Sequence, residues 1–153
     1  HVGSYAVGIA AGLRECADLI AIGDCHDSET ARAIVAALQS GALLVVGVAA
    51  NDVATALVRI AQLADPADSS RALCILAQNF VAGTAQTMCR RSDGAGRFAA
   101  FEVILGTEPT KGALATIEGH STALASAIST GAAAGMQSMA TALADATRRG
   151  IKP

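Results

Sequence analysis

The sequence predicts an α/β fold, and three observations carry that prediction. Two short apolar runs, Leu19–Ile22 and Leu43–Val48, are rich in branched side chains, the pattern of strands buried on both faces. Each is followed by a stretch with helical spacing of apolar residues, opened by a side chain suited to cap a helix. Two further runs, joined by Ser92-Asp93-Gly94-Ala95-Gly96, read as a hairpin.

Taken in order, Gly3 to Glu15 has the apolar spacing of a helix, weakened by Gly8 and Gly12. Leu19–Ile22 is the first strand. Asp27 caps a helix from Ser28 to Gln39, with Glu29 in its first turn, where the helix dipole favours negative charge. Gly41 ends that helix, and Leu43–Val48 is a second buried strand. Asn51-Asp52 caps a helix through Ala61. Asp65-Pro66 opens another, because proline is tolerated at a first helical position, and this helix carries Leu73, Leu76, Ala77 and Phe80 on one face. Thr84–Arg91 and Arg97–Leu105 are the hairpin strands. Beyond Gly106 short helices run to Arg149; the last packs Met136, Met139 and Leu143 and ends at Arg148-Arg149-Gly150. This organisation divides the chain into a core, 1–106, and a helical C-terminal subdomain, 107–153.

The chain has 153 residues, enough for one core that buries about two-thirds of its unfolded surface. Apolar residues make up 52% but aromatics only 3%, so the interior is built of Ala, Leu, Ile and Val, which favours close helix packing over an aromatic-lined pocket. A net charge of −2 gives no global attraction to nucleic acid or to an anionic membrane. Cys16, Cys25, Cys74 and Cys89 form no C-x-x-C pair, and read as buried thiols of a reducing compartment rather than zinc ligands or disulfides. No run approaches ~18 uncharged apolar residues. His1-Val2-Gly3 shows no signal peptide and looks like a chain cut in mid-sequence. A cytoplasmic location follows as the expectation.

The chemistry concentrates after the first strand, where Gly23 is followed by Asp24, Asp27 and Glu29 within one turn. Ligands of such sheets sit at the carboxyl ends of the strands. Asp24 is either a working carboxylate or a solvated turn residue; its place at a strand end favours work. Helix capping suffices for Asp27. His26 reads as an exposed turn histidine, and also opens a metal phosphohydrolase reading through His26-Asp27, for which the sequence offers just His1 and His120 as further histidines.

Asp18 to Thr30 resembles the Walker B region of the type IV pilus retraction (PilT-like) and type II secretion (GspE-like) ATPases, whose strand ends in Gly-Glu followed by Arg-Asp-x-Glu-Thr. Gly23, Asp27, Glu29 and Thr30 match; Asp24 stands for the Glu and His26 for the Arg. The resemblance covers essentially the whole chain. Leu13 to Asp18 resembles the family's Leu-Arg-x-Asp-Pro-Asp lead-in, and Asn51 to Leu63 fits the helix after its histidine box. Leu76 to Phe80 and Gln86-Thr87-Met88 resemble Leu-Ala-x-Ser-Leu and the later Ser-Gln-x-Leu. Gly96 to Val103 is similar to Gly-Arg-Val-Ala-Ala-x-Glu-Ile, and Gly135 to Met139 to Gly-Met-Gln-Thr-Met.

The resemblance implies part of a RecA-like P-loop NTPase core, its C-terminal portion, with a helical C-terminal tail. It also implies a hexameric cytoplasmic motor, peripheral to the inner membrane, that couples ATP hydrolysis with Mg to pilus retraction or pseudopilus assembly on a pilus or secretion platform. Asp24 takes the catalytic position, orienting the attacking water or supporting Mg through water. Asp27, Glu29 and His26 take the nucleotide side. Asp is one methylene shorter than Glu, and errors of ~1 Å can cost ~100-fold in rate, so activity of the intact protein is expected to be weak. The family's phosphate-binding loop would precede residue 1. Lys111 and Lys152 are the two lysines of the sequence, and neither completes a G-x-x-x-x-G-K-S/T element. Ala50 stands at the family's histidine, and Glu108 to Thr116 keeps little of its Ala-Ile-Arg-Asn-Leu-Ile element. A non-hydrolysing structural subunit of such a ring is therefore the alternative. Arg90, Arg91 and Arg97 read as a solvated basic rim or as a contact across a subunit interface.

Overall fold

The computed structural model describes residues 3–91, 94, 96–116 and 122–148. Along the chain it runs α1 (Tyr5–Arg14), β1 (Leu19–Ile22), α2 (Ser28–Leu38), β2 (Leu43–Val46), α3 (Val53–Ala64), α4 (Ser69–Gln78), β3 (Ala82–Arg90), β4 (Arg97–Leu105), α5 (Glu108–Ala115), α6 (Thr122–Thr130) and α7 (Met139–Arg148), with a 3-10 turn at Gly131–Ala134. Two compact units result: His1–Ala49 with Ala56–Asn79, and Ala50–Thr55 with Phe80–Pro153.

In the first unit β1 and β2 pair in parallel, Leu19 opposite Leu43 and Ile22 opposite Val46. Parallel pairing requires a crossover, which α2 supplies. That helix buries Ala31, Ile34 and Ala37 and lies against α1 and α4. The expectation that both strands are buried on both faces is corrected: Leu19, Leu43 and Val45 are 52%, 45% and 54% exposed. A continuous apolar run encodes burial on two faces, and these residues supply a covering layer for one.

α1 begins on Ser4, whose side chain accepts from the Val7 amide. It ends in a Schellman arrangement: the Ala17 amide reaches the Gly12 carbonyl at 3.0 Å and the Cys16 amide reaches Leu13 at 3.1 Å. Cys16 holds the left-handed position there, φ 54°, which a non-glycine residue adopts at a cost of roughly 1 kcal/mol. Cys16→Gly is therefore expected to raise the urea midpoint, by about 0.5–1 kcal/mol of stability. Cys16 is exposed and Cys74 half-buried, so the expectation of four buried thiols holds for Cys25 and Cys89 alone.

Asp65-Pro66 does not open a helix. The Asp65 carboxylate accepts from the Ala67 and Asp68 amides, closing a local turn that competes with helix, and α4 starts later, on the Asp68 cap. Leu73, Leu76 and Ala77 are buried on it as the spacing predicts, and Phe80 is buried just beyond its end.

In the second unit β3 and β4 form the expected antiparallel hairpin, from Ala82 opposite Leu105 to Arg90 opposite Arg97. Of its turn, Ser92, Asp93 and Ala95 lie outside the described residues, as do Arg149, Gly150 and His120. α7 packs on β4, where Ala100 joins Ala142 and Ala146 in a buried cluster with Cys89 of β3, and Phe98, Met139 and Leu143 lie around them. Small side chains allow that close approach. Gln137 extends the sheet: its backbone pairs with Val103, and its side-chain amide donates to the Phe101 carbonyl at 2.8 Å. Met136 is buried ahead of α7 rather than on it.

Candidate functional site

Parallel pairing brings the carboxyl ends of β1 and β2 side by side in the first unit. The Gly47 amide continues the ladder to the Ile22 carbonyl at 2.9 Å, and the Cys25 amide returns to the Gly47 carbonyl at 2.9 Å. A Cβ at Gly47 would collide with the Gly23 carbonyl, so glycine permits this close approach.

On this frame the turn gathers three of the four predicted residues. His26 Nδ1 lies 3.2 Å from Asp24 Oδ2, and its Nε2 lies 3.9 Å from Asp27 Oδ2. The side chains of Asp24 and His26 are more than half exposed. Asp27 spends both oxygens at the start of α2, accepting from the Thr30 amide and the Thr30 hydroxyl, each at 2.8 Å. These bonds, the backbone one foremost, hold its carboxyl below the ordinary carboxylate value, with His26 adding to the effect. Glu29 is exposed on the first turn of α2, and among the described residues its carboxylate makes no hydrogen bond or ion pair.

The depressed Asp27 carboxyl has a pH consequence. Its stabilising contribution is present above the unfolded carboxylate value near 4 and is lost as pH falls through the lower folded value. Asp27→Asn should flatten the acid limb of the stability profile below about pH 4, read by urea unfolding at stepped pH. A mutant limb as steep as the wild type's would show that Asp27 is not the source.

Under the turn Cys25 is 1% exposed. Burial pushes its thiol up, Asp27 and Asp24 push it further, and Arg59 opposes them. A protonated thiol in that setting is packing, not a nucleophile.

Two residues outside the sequence prediction hold backbone from a distance, one in each unit. Arg59, on α3, donates from Nη1 to the Ala49 carbonyl at 2.8 Å. In the second unit Glu102, buried on β4, accepts from the Val53 amide at 2.9 Å. Asp52 also caps that helix start, accepting from the Thr55 amide at 2.7 Å. The partners of Arg59 and Glu102 are ten and forty-nine residues away, and no local pattern announces them.

The starts of α2 and α3 are not open to a phosphate. Helix N-termini are natural anion sites, but the start of α2 is occupied by Asp27 and that of α3 by Asp52 and Glu102. No group of three or more His, Cys, Asp and Glu side chains that could hold a metal occurs among the described residues. The arrangement offers an accessible carboxylate, Asp24, at a strand end, and a nucleotide would need its phosphates held by residues other than these. In the second unit a cavity of about 510 Å³ beside Thr107, Ala127 and Met136 contains none of the predicted site residues. No helix among the described residues is long and apolar enough to cross a membrane.

Comparison with known proteins gives this geometry a context. The profile of the family described as "Type II/IV secretion system protein" matches residues 3–148. The chain is 26% identical over 151 residues to a twitching motility protein of Neisseria gonorrhoeae, covering 99% of this chain and 40% of that one. It is 25% identical over 147 residues to the type IV pilus retraction ATPase PilT of Pseudomonas aeruginosa, covering 96% and 42%. In structure it resembles the ATPase DotB of Legionella pneumophila, with TM-score 0.76 at 22% identity over 100% of this chain and 41% of that one. It also resembles the pilus retraction motor PilT with bound ADP, with TM-score 0.74 at 20% identity over 99% and 42%. The chain thus spans about 40% of the length of these relatives, and its α/β arrangement is part of their ATPase fold. With a matched region that runs through both units, the chain belongs to the type II/IV secretion system protein family.

Proposed function

We propose that this chain is the C-terminal part of the ATPase domain of a pilus-motility or secretion motor. It would supply the carboxylate side of the nucleotide site, while the phosphate-binding loop lies outside these 153 residues. The observation that carries the reading is the pairing of the Asp24 turn with the end of β2, which presents an accessible carboxylate at the mouth of a parallel sheet. In this reading Asp24 orients the attacking water or supports Mg through water, and His26, Asp27 and Glu29 line the nucleotide side. Asp27 acts mainly by starting α2. The motor is a hexamer on the cytoplasmic face of an inner-membrane pilus or secretion platform, where Arg90 and Arg97 on the hairpin contact a neighbouring subunit. Retraction of a pilus and assembly of a pseudopilus are both compatible with this site.

A second reading, a non-hydrolysing structural subunit of the ring, is favoured by Ala50, whose methyl group cannot contribute a hydrogen bond where the related ATPases resembled by the sequence carry histidine. Mg-dependent ATP hydrolysis by the full-length polypeptide separates them. Turnover supports the motor; a folded, ring-forming polypeptide without turnover supports the structural subunit.

A further inference from the structure

The most informative side chain outside the predicted set is Arg59. It sits on α3, yet its guanidinium reaches back ten residues to the Ala49 carbonyl at 2.8 Å. Ala49 is two residues past Gly47, and Gly47 is bonded on both sides to the β1 end: its amide to Ile22, its carbonyl to Cys25, each at 2.9 Å. A continuous path therefore runs from a helix-borne cation, through the loop that leaves β2, to the residue next to Asp24. The exposed turn has few other ties of this kind. Asp27 is held by the start of α2, and Asp24 has His26 beside it at 3.2 Å. The guanidinium charge also reaches the turn, since Arg59 counters the two aspartates at the buried Cys25 thiol.

We propose that Arg59 is a positioning residue of the Asp24 site: it pins the loop leaving β2 and, through that loop, fixes the turn that carries Asp24. The proposal rests on the reading of Asp24 given above. Arginine suits the task because its planar fork loses little freedom when it donates to a fixed carbonyl. The remaining guanidinium N–H groups find no acceptor among the described residues, so one hydrogen bond accounts for its orientation. Both ends of that bond, Arg59 and Ala49, lie in the first compact unit.

Arg59→Met and Arg59→Lys in the full-length polypeptide test it, with Asp24→Asn alongside. Arg59→Met should lower kcat for Mg-dependent ATP hydrolysis about 10-fold or more with KM within about twofold, and speed hydrogen exchange at the Cys25 amide by roughly 10-fold. Arg59→Lys should recover part of both, because an ammonium can donate to the same carbonyl. Unchanged Cys25 exchange in Arg59→Met overturns the proposal, whatever happens to the melting temperature. A raised KM with unchanged kcat also overturns it, by making Arg59 a ligand-binding group instead. If Asp24→Asn matches the wild type, the reading of Asp24 fails by itself, and Cys25 exchange still decides whether Arg59 holds the turn.

Discussion

Asp24→Asn in the full-length polypeptide is expected to lower Mg-dependent ATP turnover by about 100-fold or more, with KM for ATP changed only a few-fold. Asparagine keeps the size of the side chain but removes the negative charge that the proposed reading uses to orient water. One carboxylate oxygen faces His26 at 3.2 Å, and the side chain is accessible enough for the other to meet a water. A variant as fast as the wild type would take Asp24 out of the chemistry. A variant altered in KM alone would make it a binding residue.

The second large effect concerns the frame. Gly47→Ala should cost about 3 kcal/mol and lower turnover with it, because the new methyl group meets the Gly23 carbonyl at the step before Asp24. Relief requires the two strand ends to separate, which breaks the Cys25–Gly47 bond. A urea midpoint within ~0.5 kcal/mol of the wild type would show that the strand ends can part without strain. Gly41 is the contrasting position: a methyl group there would meet open space, but its φ is 88°, so its constraint is conformational rather than steric.

Much of this arrangement is legible in the sequence, for identifiable reasons. β1 and β4 match their expected ranges, because compact apolar runs bounded by turn residues leave little choice of element. Asp27 is recognisable as a cap from its place just before the helix that opens at Ser28, and the structure adds its two bonds to Thr30. Helix starts are less secure. Pro66 suggests a first helical residue, while the Asp65 side chain satisfies the Ala67 and Asp68 amides and delays the helix to Ser69. Burial of Leu19, Leu43 and Val45 is misjudged, because an apolar run does not say which layer covers it.

Within the site the sequence exposes what chain order places together and hides what folding brings in. Asp24, His26 and Asp27 are neighbours in one turn, so their cluster follows from local geometry. Glu29 shares the turn in sequence but stays apart in space, since the first turn of α2 carries it to solvent. Arg59 and Glu102 act on loop and helix backbone through long side chains, leaving no periodic signal. The resemblance to pilus and secretion ATPases identifies the strand of Glu102, but not the amide it satisfies.

In the proposed reading this chain supplies the carboxylate side of a nucleotide site and other residues hold the phosphates, in keeping with the starts of α2 and α3 being taken by Asp27, Asp52 and Glu102. Isothermal titration of the 153-residue chain with Mg-ATP tests that most directly. The expected result is no saturable binding in the micromolar range; low-micromolar binding to the isolated chain would contradict it.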